Sequence, residues 1–265
     1  MKLKNLHLAV PNALTLLNLL LGCIGILYAF DERYFVLSQK GLLEGTYEIN
    51  SRLFMSSMCV FTAAVIDFLD GYVARALKAE SEMGKQLDSL ADLVTFGVLP
   101  AIIYYQLLER SFFLESGALY TSKLWLLPAF LIPLGGAYRL ARFNIQTTSK
   151  EYFTGMPIPA QGIFAASLPI IYFYNTYGAA DWILNKWLLY GLVVLFTWLM
   201  VSRVPMFSFK LSGYGWKGNE KIYTFLILCA ALVASLQFAG VAAAILLYVV
   251  FTLFIIKPKE VEEEV

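Results

Sequence analysis

Residues 67–92 read DFLDGYVARALKAESEMGKQLDSLAD, and this stretch decides how the chain must fold. It carries four aspartates within sequence that is otherwise apolar enough to cross a bilayer: Asp67, Asp70, Asp88 and Asp92. On membrane-insertion scales an aspartate at a helix centre costs roughly 2.5 to 3.5 kcal/mol, so folding alone does not account for four of them. A ligand that needs concentrated negative charge must compensate.

The spacing of these aspartates predicts a helical hairpin. One continuous helix would separate Asp67 from Asp92 by about 37 Å at 1.5 Å per residue, which is too far for a shared site. The polar residues between Lys78 and Lys85 surround Gly84, a composition typical of a short turn. A turn near residue 80 brings the two pairs to comparable depth. The i, i+3 and i, i+4 spacings place each pair on one helix face.

The composition predicts an all-α, polytopic membrane bundle. The 265 residues are 59% hydrophobic and 15% charged, with a mean hydropathy of +0.67, far outside the range of soluble domains. The net charge of +1 gives no basic field for a nucleic-acid partner. We therefore expect an integral membrane protein that does not bind nucleic acid.

Runs of about 20 apolar residues predict the transmembrane helices. The expected spans are 11–30, 53–77, 86–108, 124–147, 158–176, 184–202, 222–236 and 239–256. Of the 20 Lys and Arg residues, 14 fall on the side of the N-terminus and 6 on the other, which favours eight helices with both termini cytoplasmic. A seven-helix count would move only Lys257 and Lys259. Residues 1–256 are expected to form one domain, and 257–265 a solvated acidic cytoplasmic tail.

The four carboxylates offer hard oxygen ligands, which suit Mg²⁺ or Mn²⁺ better than softer metals. The chain has a single histidine, His7, which precedes the first predicted helix. General-base chemistry within the bundle must therefore fall to a carboxylate.

Small residues and one arginine accompany the aspartates. Gly71, Ala74 and Gly84 keep the walls of the site low, so that a ligand can approach closely. Arg75 supplies a planar fork for phosphate oxygens. The alternative is that Gly71 and Ala74 are small-residue contacts between membrane helices.

The pattern D-x2-D-G-x2-A-R-x8-G-x3-D-x3-D over 67–92 resembles the signature of the CDP-alcohol phosphatidyltransferase family, with all eight defined positions filled. The resemblance implies an integral membrane enzyme that moves a phosphatidyl group from a CDP-linked lipid to an alcohol and releases CMP. It also implies a divalent metal, a core of six transmembrane helices and a homodimer. The last two predicted helices would be additions to that core.

The resemblance assigns roles to the aspartates position by position. It implies that Asp67, Asp70 and Asp88 hold metal, with two ions expected. Asp92 would contact a metal and take the proton from the acceptor hydroxyl.

The same resemblance assigns the nucleotide pocket. It implies that Gly71, Ala74 and Arg75 line the pocket for the CMP portion, with Gly84 giving clearance.

Flanking segments resemble the phosphatidylserine synthase branch of the family. These segments are 11–18, 89–100, 138–144 and 153–160. The resemblance implies CDP-diacylglycerol and L-serine as substrates, and an active site at the cytoplasmic face. Gln161 departs from the small residue expected after Pro159 and Ala160, a difference that concerns the acceptor pocket rather than the metal site.

Two further pairs of residues are candidates for binding. Arg139 and Arg142 are spaced i, i+3 within a predicted span, so they share a face and point towards an anion. That anion could be the carboxylate of serine or a phosphate of glycerol phosphate or of the nucleotide; the alternative is anchoring by snorkelling. Asn12 and Thr15 lie at the start of the first predicted helix, where capping competes with nucleotide contact.

Two other functions are open at this point. The same chemistry with another acceptor, glycerol 3-phosphate first, fits the same signature. A cation transporter is the alternative from a different class, because buried aspartates also mark ion paths. The sequence has no matched pair of Gly- or Pro-broken helices that would favour transport.

Overall fold

The computed structural model describes residues 6–30, 46–79, 81–113, 122–145, 153–175, 178–206, 215–216 and 219–255. Within these ranges, four helices are long and apolar enough to cross a membrane: Ala9–Phe30, Arg52–Ala76, Glu82–Phe113 and Lys123–Ile145. Shorter apolar helices are Ile158–Tyr174, Lys186–Val201 and Phe238–Thr252. The predicted all-α membrane bundle is confirmed, while the number of crossings and the side of the termini stay predictions. The acidic tail predicted over 257–265 lies outside the described residues.

Helices coincide with all eight predicted segments. In chain order they are α1 (Leu6–Phe30), α2 (Thr46–Ala76), α3 (Glu82–Asp92), α4 (Leu99–Phe113), α5 (Leu131–Ile145), α6 (Ile158–Tyr174), α7 (Ala180–Ile183), α8 (Lys186–Val201), α9 (Glu220–Leu236) and α10 (Phe238–Ile255). Two short strands that the sequence did not predict, β1 (Phe153–Thr154) and β2 (Pro205–Met206), pair antiparallel as a two-stranded sheet. This two-stranded sheet joins the segment before α6 to the segment after α8.

The turn between α2 and α3 lies where the sequence predicts it. The amide of Ala79 donates to the carbonyl of Ala74 at 2.9 Å, and Lys78 adopts a left-handed conformation with φ of 52°. This geometry is that of a Schellman helix end, with lysine where glycine is usual. Ser81 then caps α3 by accepting a hydrogen bond from the amide of Gly84 at 3.0 Å. The chain therefore reverses within a few residues, and α1 packs against both aspartate-bearing helices.

The helix that follows Asp92 is not regular. A π-helical segment, Leu93–Val98, separates α3 from α4, where the sequence predicted one uninterrupted helix over 86–108. Pro100 explains the wider turn, because it lacks an N–H and its ring would clash with the carbonyl of Phe96 in an α-helix. Asp92 thus stands at the end of α3, immediately before the widened turn, a placement common at functional sites.

The predicted helix over 124–147 is only half α-helical. Its first part, Lys123–Phe130, is a 3-10 helix that carries Pro128, and α5 begins at Leu131. Proline in the interior removes a backbone donor and disfavours the α-helical hydrogen-bond pattern. The two functional arginines predicted in this span lie in the regular half.

The first helix begins earlier than predicted, at Leu6 rather than at residue 11. Asn12 and Thr15 are therefore about two turns and more inside the helix, where the amide groups already have intrahelical partners. The capping alternative for these two residues is wrong.

The packing places α1 against α2 and α3, α6 against α2 and α10, and α5 against α8. The best-buried side chains come from the central helices and include Phe96, Tyr104, Ile158 and Phe196. The aspartate-bearing hairpin therefore borders the core on one side, with α1 across it.

Candidate active site

The aspartates of the helical hairpin converge. Carboxylate oxygens of Asp67, Asp70 and Asp88 all lie within 4.8 Å of one another, although Asp88 comes from a different helix. Asp70 is buried at 5% exposure, and the other two are half-buried. Three carboxylates at this separation repel each other in the absence of a cation. The donor set fits a hard divalent ion such as Mg²⁺ or Mn²⁺.

Asp92 lies beside this cluster rather than within it. Its carboxyl group is a direct neighbour of the Asp67 carboxyl, and it is 8% exposed. Its Oδ1 atom has no hydrogen-bond partner among the described residues. A buried carboxylate oxygen without a partner calls for a ligand or a proton donor at that point. This position suits a group that receives a proton next to the metal cluster.

Helix α1 supports the cluster through Thr15. The Thr15 hydroxyl lies 2.8 Å from Oδ2 of Asp70, which accepts its hydrogen bond, and 3.1 Å from the carbonyl of Pro11. Hydrogen bonds of this kind orient ligating carboxylates and tune the site they build. The nucleotide contact predicted for Thr15 stays a prediction, while its hydroxyl is directed at a member of the cluster.

Gly84 is explained by the close approach of α1. A Cβ atom at this position would lie 3.2 Å from Oδ1 of Asn12 and 3.1 Å from Oγ of Ser81. The clearance that glycine provides here therefore admits the Asn12 side chain. Asn12 of α1 lies against the start of α3. Its contact with a nucleotide stays a prediction.

Arg75 folds back over Gly71. A Cβ at Gly71 would lie 3.4 Å from Nη1 of Arg75, an ordinary van der Waals contact, so the guanidinium group lies over the glycine one turn along α2 without requiring it. Arg75 is exposed, and Ala74 beside it is half-buried. The role of Arg75 in binding a phosphate stays a prediction.

The two arginines of α5 differ sharply in their surroundings. Arg139 is buried at 8% exposure, and the Asp92 carboxyl lies within electrostatic range of its charge. Its Nε atom has no hydrogen-bond partner in the described part of the chain. Arg139 is therefore available to an anion next to Asp92.

Arg142 is instead held by backbone carbonyls. Its Nη1 donates to Val201 at 2.9 Å, and its Nη2 to Ser202 at 3.1 Å and to Thr154 at 3.4 Å. These bonds tie the end of α5 to β1 and to the end of α8. Binding of the acceptor by Arg142 stays a prediction, but the geometry favours Arg139 for that role. Anchoring by snorkelling stays an alternative for both residues.

One connection near the site was missed from the sequence. The Asn144 side-chain amide donates to Oγ of Ser89 at 2.8 Å, and Nζ of Lys85 donates to the Asn144 carbonyl at 3.3 Å. These contacts fasten α3 to the end of α5. Lys85 and Ser89 are spaced i, i+4, which signals a shared helix face but not its partner.

Comparison with known proteins agrees with this geometry. The model of the CDP-alcohol phosphatidyltransferase family matches residues 8–199, a range that includes all four aspartates. The chain belongs to this family. The family membership that the signature over 67–92 predicts is thus confirmed.

Several curated relatives carry the name CDP-diacylglycerol–serine O-phosphatidyltransferase. The protein of Helicobacter pylori strain J99 is 30% identical over 243 residues, which cover 91% of this chain and 88% of the relative. The Bacillus subtilis strain 168 protein is 38% identical over 152 residues, or 57% of this chain and 73% of the relative. The Mycobacterium leprae protein is 36% identical over 154 residues, or 56% of this chain and 47% of the relative.

Proposed function

We propose that this chain transfers the phosphatidyl group of CDP-diacylglycerol to the hydroxyl of L-serine, giving phosphatidylserine and CMP. The observation that carries the proposal is the convergence of Asp67, Asp70 and Asp88 next to Asp92. The names of the relatives support serine as the acceptor, and the H. pylori protein does so over nearly the whole chain.

The donor would bind over the α2–α3 hairpin. Asp67, Asp70 and Asp88 would hold Mg²⁺ or Mn²⁺, two ions in all, with Asp92 as a further ligand. When bound, the metal neutralises negative charge on the pyrophosphate and on the departing CMP. Arg75 would contact a phosphate oxygen. Gly71 and Ala74 would form the low wall of the nucleotide pocket.

Asp92 would act as the general base. The serine hydroxyl loses its proton to Asp92 as its oxygen forms a bond to the phosphorus of the phosphatidyl group. The bond from that phosphorus to the oxygen of CMP breaks, and CMP leaves with the electron pair. Burial beside Asp67 and an unpartnered oxygen suit Asp92 to receive that proton.

Arg139 would bind the carboxylate of serine. Its guanidinium is buried next to Asp92, so an anion bound to it places the neighbouring hydroxyl near the base. Glycerol 3-phosphate also carries an anion and a hydroxyl, and it is the second candidate acceptor for the same site.

The proposal includes the membrane setting. The excess of Lys and Arg on the side of the termini supports an active site that faces the cytoplasm. The family resemblance supports a homodimer.

The test is an assay of the purified protein with CDP-diacylglycerol and Mn²⁺ or Mg²⁺. Radiolabelled serine and radiolabelled glycerol 3-phosphate are supplied in parallel, and the lipid product is identified. We expect labelled phosphatidylserine and stoichiometric CMP with serine, and neither after chelation of the metal. Product formed only with glycerol 3-phosphate would overturn serine as the acceptor. Cation flux in liposomes without any nucleotide-dependent product would overturn the transferase function.

A further inference from the structure

The two halves of the candidate site lie on different helices. Helix α3 carries Asp88 and Asp92, whereas α5 carries Arg139. Helix α3 packs far more extensively against α1 than against α5. The placement of one half relative to the other therefore depends on a small contact between α3 and α5.

Hydrogen bonds from one face of α3 converge on Asn144 in the last turn of α5. The Asn144 side-chain amide donates to Oγ of Ser89 at 2.8 Å, and Nζ of Lys85 donates to the Asn144 carbonyl at 3.3 Å. Nζ of Lys85 also lies over the ring of Phe143, 5.7 Å from its centroid. A cation at the end of a helix is favoured by the helix dipole. The small contact is thus made of directed polar bonds.

The bond between Asn144 and Ser89 has only one possible direction. The Ser89 hydroxyl donates its proton to the carbonyl of Lys85, one turn earlier, at 3.1 Å. A hydroxyl has a single proton, so Ser89 can only accept from Asn144, and the amide must present its NH2 group. A side chain that cannot donate at position 144 loses the bond.

The end of α5 is fixed independently of α3. The guanidinium of Arg142 donates to the carbonyls of Val201 and Ser202 at the end of α8, at 2.9 and 3.1 Å. Asn144 follows two residues later. It therefore offers α3 an anchor point that is already held to the rest of the bundle.

We propose that Asn144 is a positioning residue, which holds the metal and base side of the site against the acceptor side through Ser89. Ser89 directly follows Asp88 and precedes Asp92 by three residues, so a bond to Ser89 restrains the turn of α3 that carries both aspartates. The inference rests on the proposed functions of Asp92 and Arg139. Asn144 acts through Ser89 and touches neither substrate nor metal in this account.

The first experiment measures steady-state kinetics of Asn144→Ala, with kcat expressed per molecule that binds Mn²⁺ so that unfolded protein is not counted. We expect kcat to fall about tenfold to a hundredfold, because a misplacement of about 1 Å between reacting groups costs that much. The KM values for serine and CDP-diacylglycerol should stay within about twofold, since the groups that bind each substrate remain. The half-maximal Mn²⁺ concentration should also stay, because the carboxylate cluster is intact.

Variants of Ser89 separate this bond from general packing. Ser89→Ala should lower kcat as Asn144→Ala does, and the double variant should lower it no further, because both changes remove the same bond. Ser89→Thr keeps the hydroxyl and should keep kcat. Ser235→Ala is the matched control, since the Ser235 hydroxyl also donates one turn back, to Ala231 at 2.8 Å, within its own helix. Wild-type kcat in Asn144→Ala, or an equal loss in Ser235→Ala, would overturn the proposal.

The second experiment measures the placement of the two helices without any substrate. Met83 on α3 and Leu134 on α5 are 70% and 66% exposed. Nitroxide labels are attached through Met83→Cys and Leu134→Cys in a variant whose three native cysteines are replaced by alanine, and their separation is measured by double electron–electron resonance. Asn144→Ala should shift or broaden the distance distribution, and Ser89→Thr should not. An unchanged distribution in Asn144→Ala would overturn the proposal.

Failure of the proposed function is recognised separately. If the wild-type protein uses glycerol 3-phosphate instead of serine, a lower kcat with that acceptor in Asn144→Ala supports positioning while serine is rejected. If neither acceptor gives a product, the transferase function fails, and positioning of an acceptor fails with it. The label distances then still decide whether Asn144 holds α3 to α5.

Discussion

The α2–α3 hairpin and the contact between α5 and the end of α8 are built in opposite ways. The hairpin gathers Asp67, Asp70 and Asp88 from residues close in sequence, and a single turn is enough to align them. The bonds from Arg142 to the carbonyls of Val201 and Ser202 join residues 59 and 60 positions apart. The metal site is therefore a local property of the chain. The surroundings of the arginines of α5 depend instead on how the whole bundle packs.

If the hairpin holds the metal, substitution of a cluster aspartate has the largest effect. Asp70→Ala should reduce CMP release by at least about a thousandfold, because the charge stabilisation that metal supplies to the transition state is lost. The measurement is CMP release with serine at saturating Mn²⁺. Glu82→Ala, an exposed position on α3, is the control and should keep its activity.

Removal of the proposed base should have the next largest effect. Asp92→Asn should lower kcat by about a hundredfold to ten-thousandfold, the usual contribution of a general base. Mn²⁺ should still bind to Asp67, Asp70 and Asp88, although more weakly, because Asp92 is only a further ligand beside that cluster. Activity near that of the wild type would rule out Asp92 as the base.

Thr15 tests how far α1 contributes to the local site. Thr15→Val keeps the shape of the side chain and removes the hydroxyl that donates to Asp70. The concentration of Mn²⁺ for half-maximal activity should rise about tenfold to a hundredfold, as is typical when a hydrogen bond to a metal ligand is lost. Thr62→Val is the matched control, since the Thr62 hydroxyl bonds only to a backbone carbonyl of its own helix.

The two arginines of α5 sharpen the comparison, with a smaller effect expected from one of them. Arg139→Lys should raise the KM for serine strongly, because lysine cannot reproduce the planar fork. Arg142→Lys should mainly lower the thermal stability, since it loses bonds to carbonyls of α8 and β1. Kinetics and thermal unfolding in detergent, measured on both variants, give the comparison. Equal KM changes would contradict the division of roles.

The α2–α3 hairpin could be predicted from the sequence because its signals are local. The polar residues around Gly84 predicted the turn, and the spacing of the aspartates predicted a shared face. The π-helical segment after Asp92 was missed, although Pro100 is its visible cause. The 3-10 segment was missed in the same way at Pro128, because an apolar run alone does not report which hydrogen-bond pattern the backbone adopts.

The acceptor side was harder to predict for a physical reason. The partners of Arg142 are backbone carbonyls, which every residue has, so no side-chain pattern announces them.

The most direct test of the account is Mn²⁺ binding by the purified protein, followed by electron paramagnetic resonance, in wild type, Asp70→Ala and Asp88→Ala. We expect either substitution to abolish tight binding, because α2 and α3 both supply carboxylates to one cluster. Tight binding that survives the loss of Asp88 while requiring Asp70 would contradict a site built from both helices.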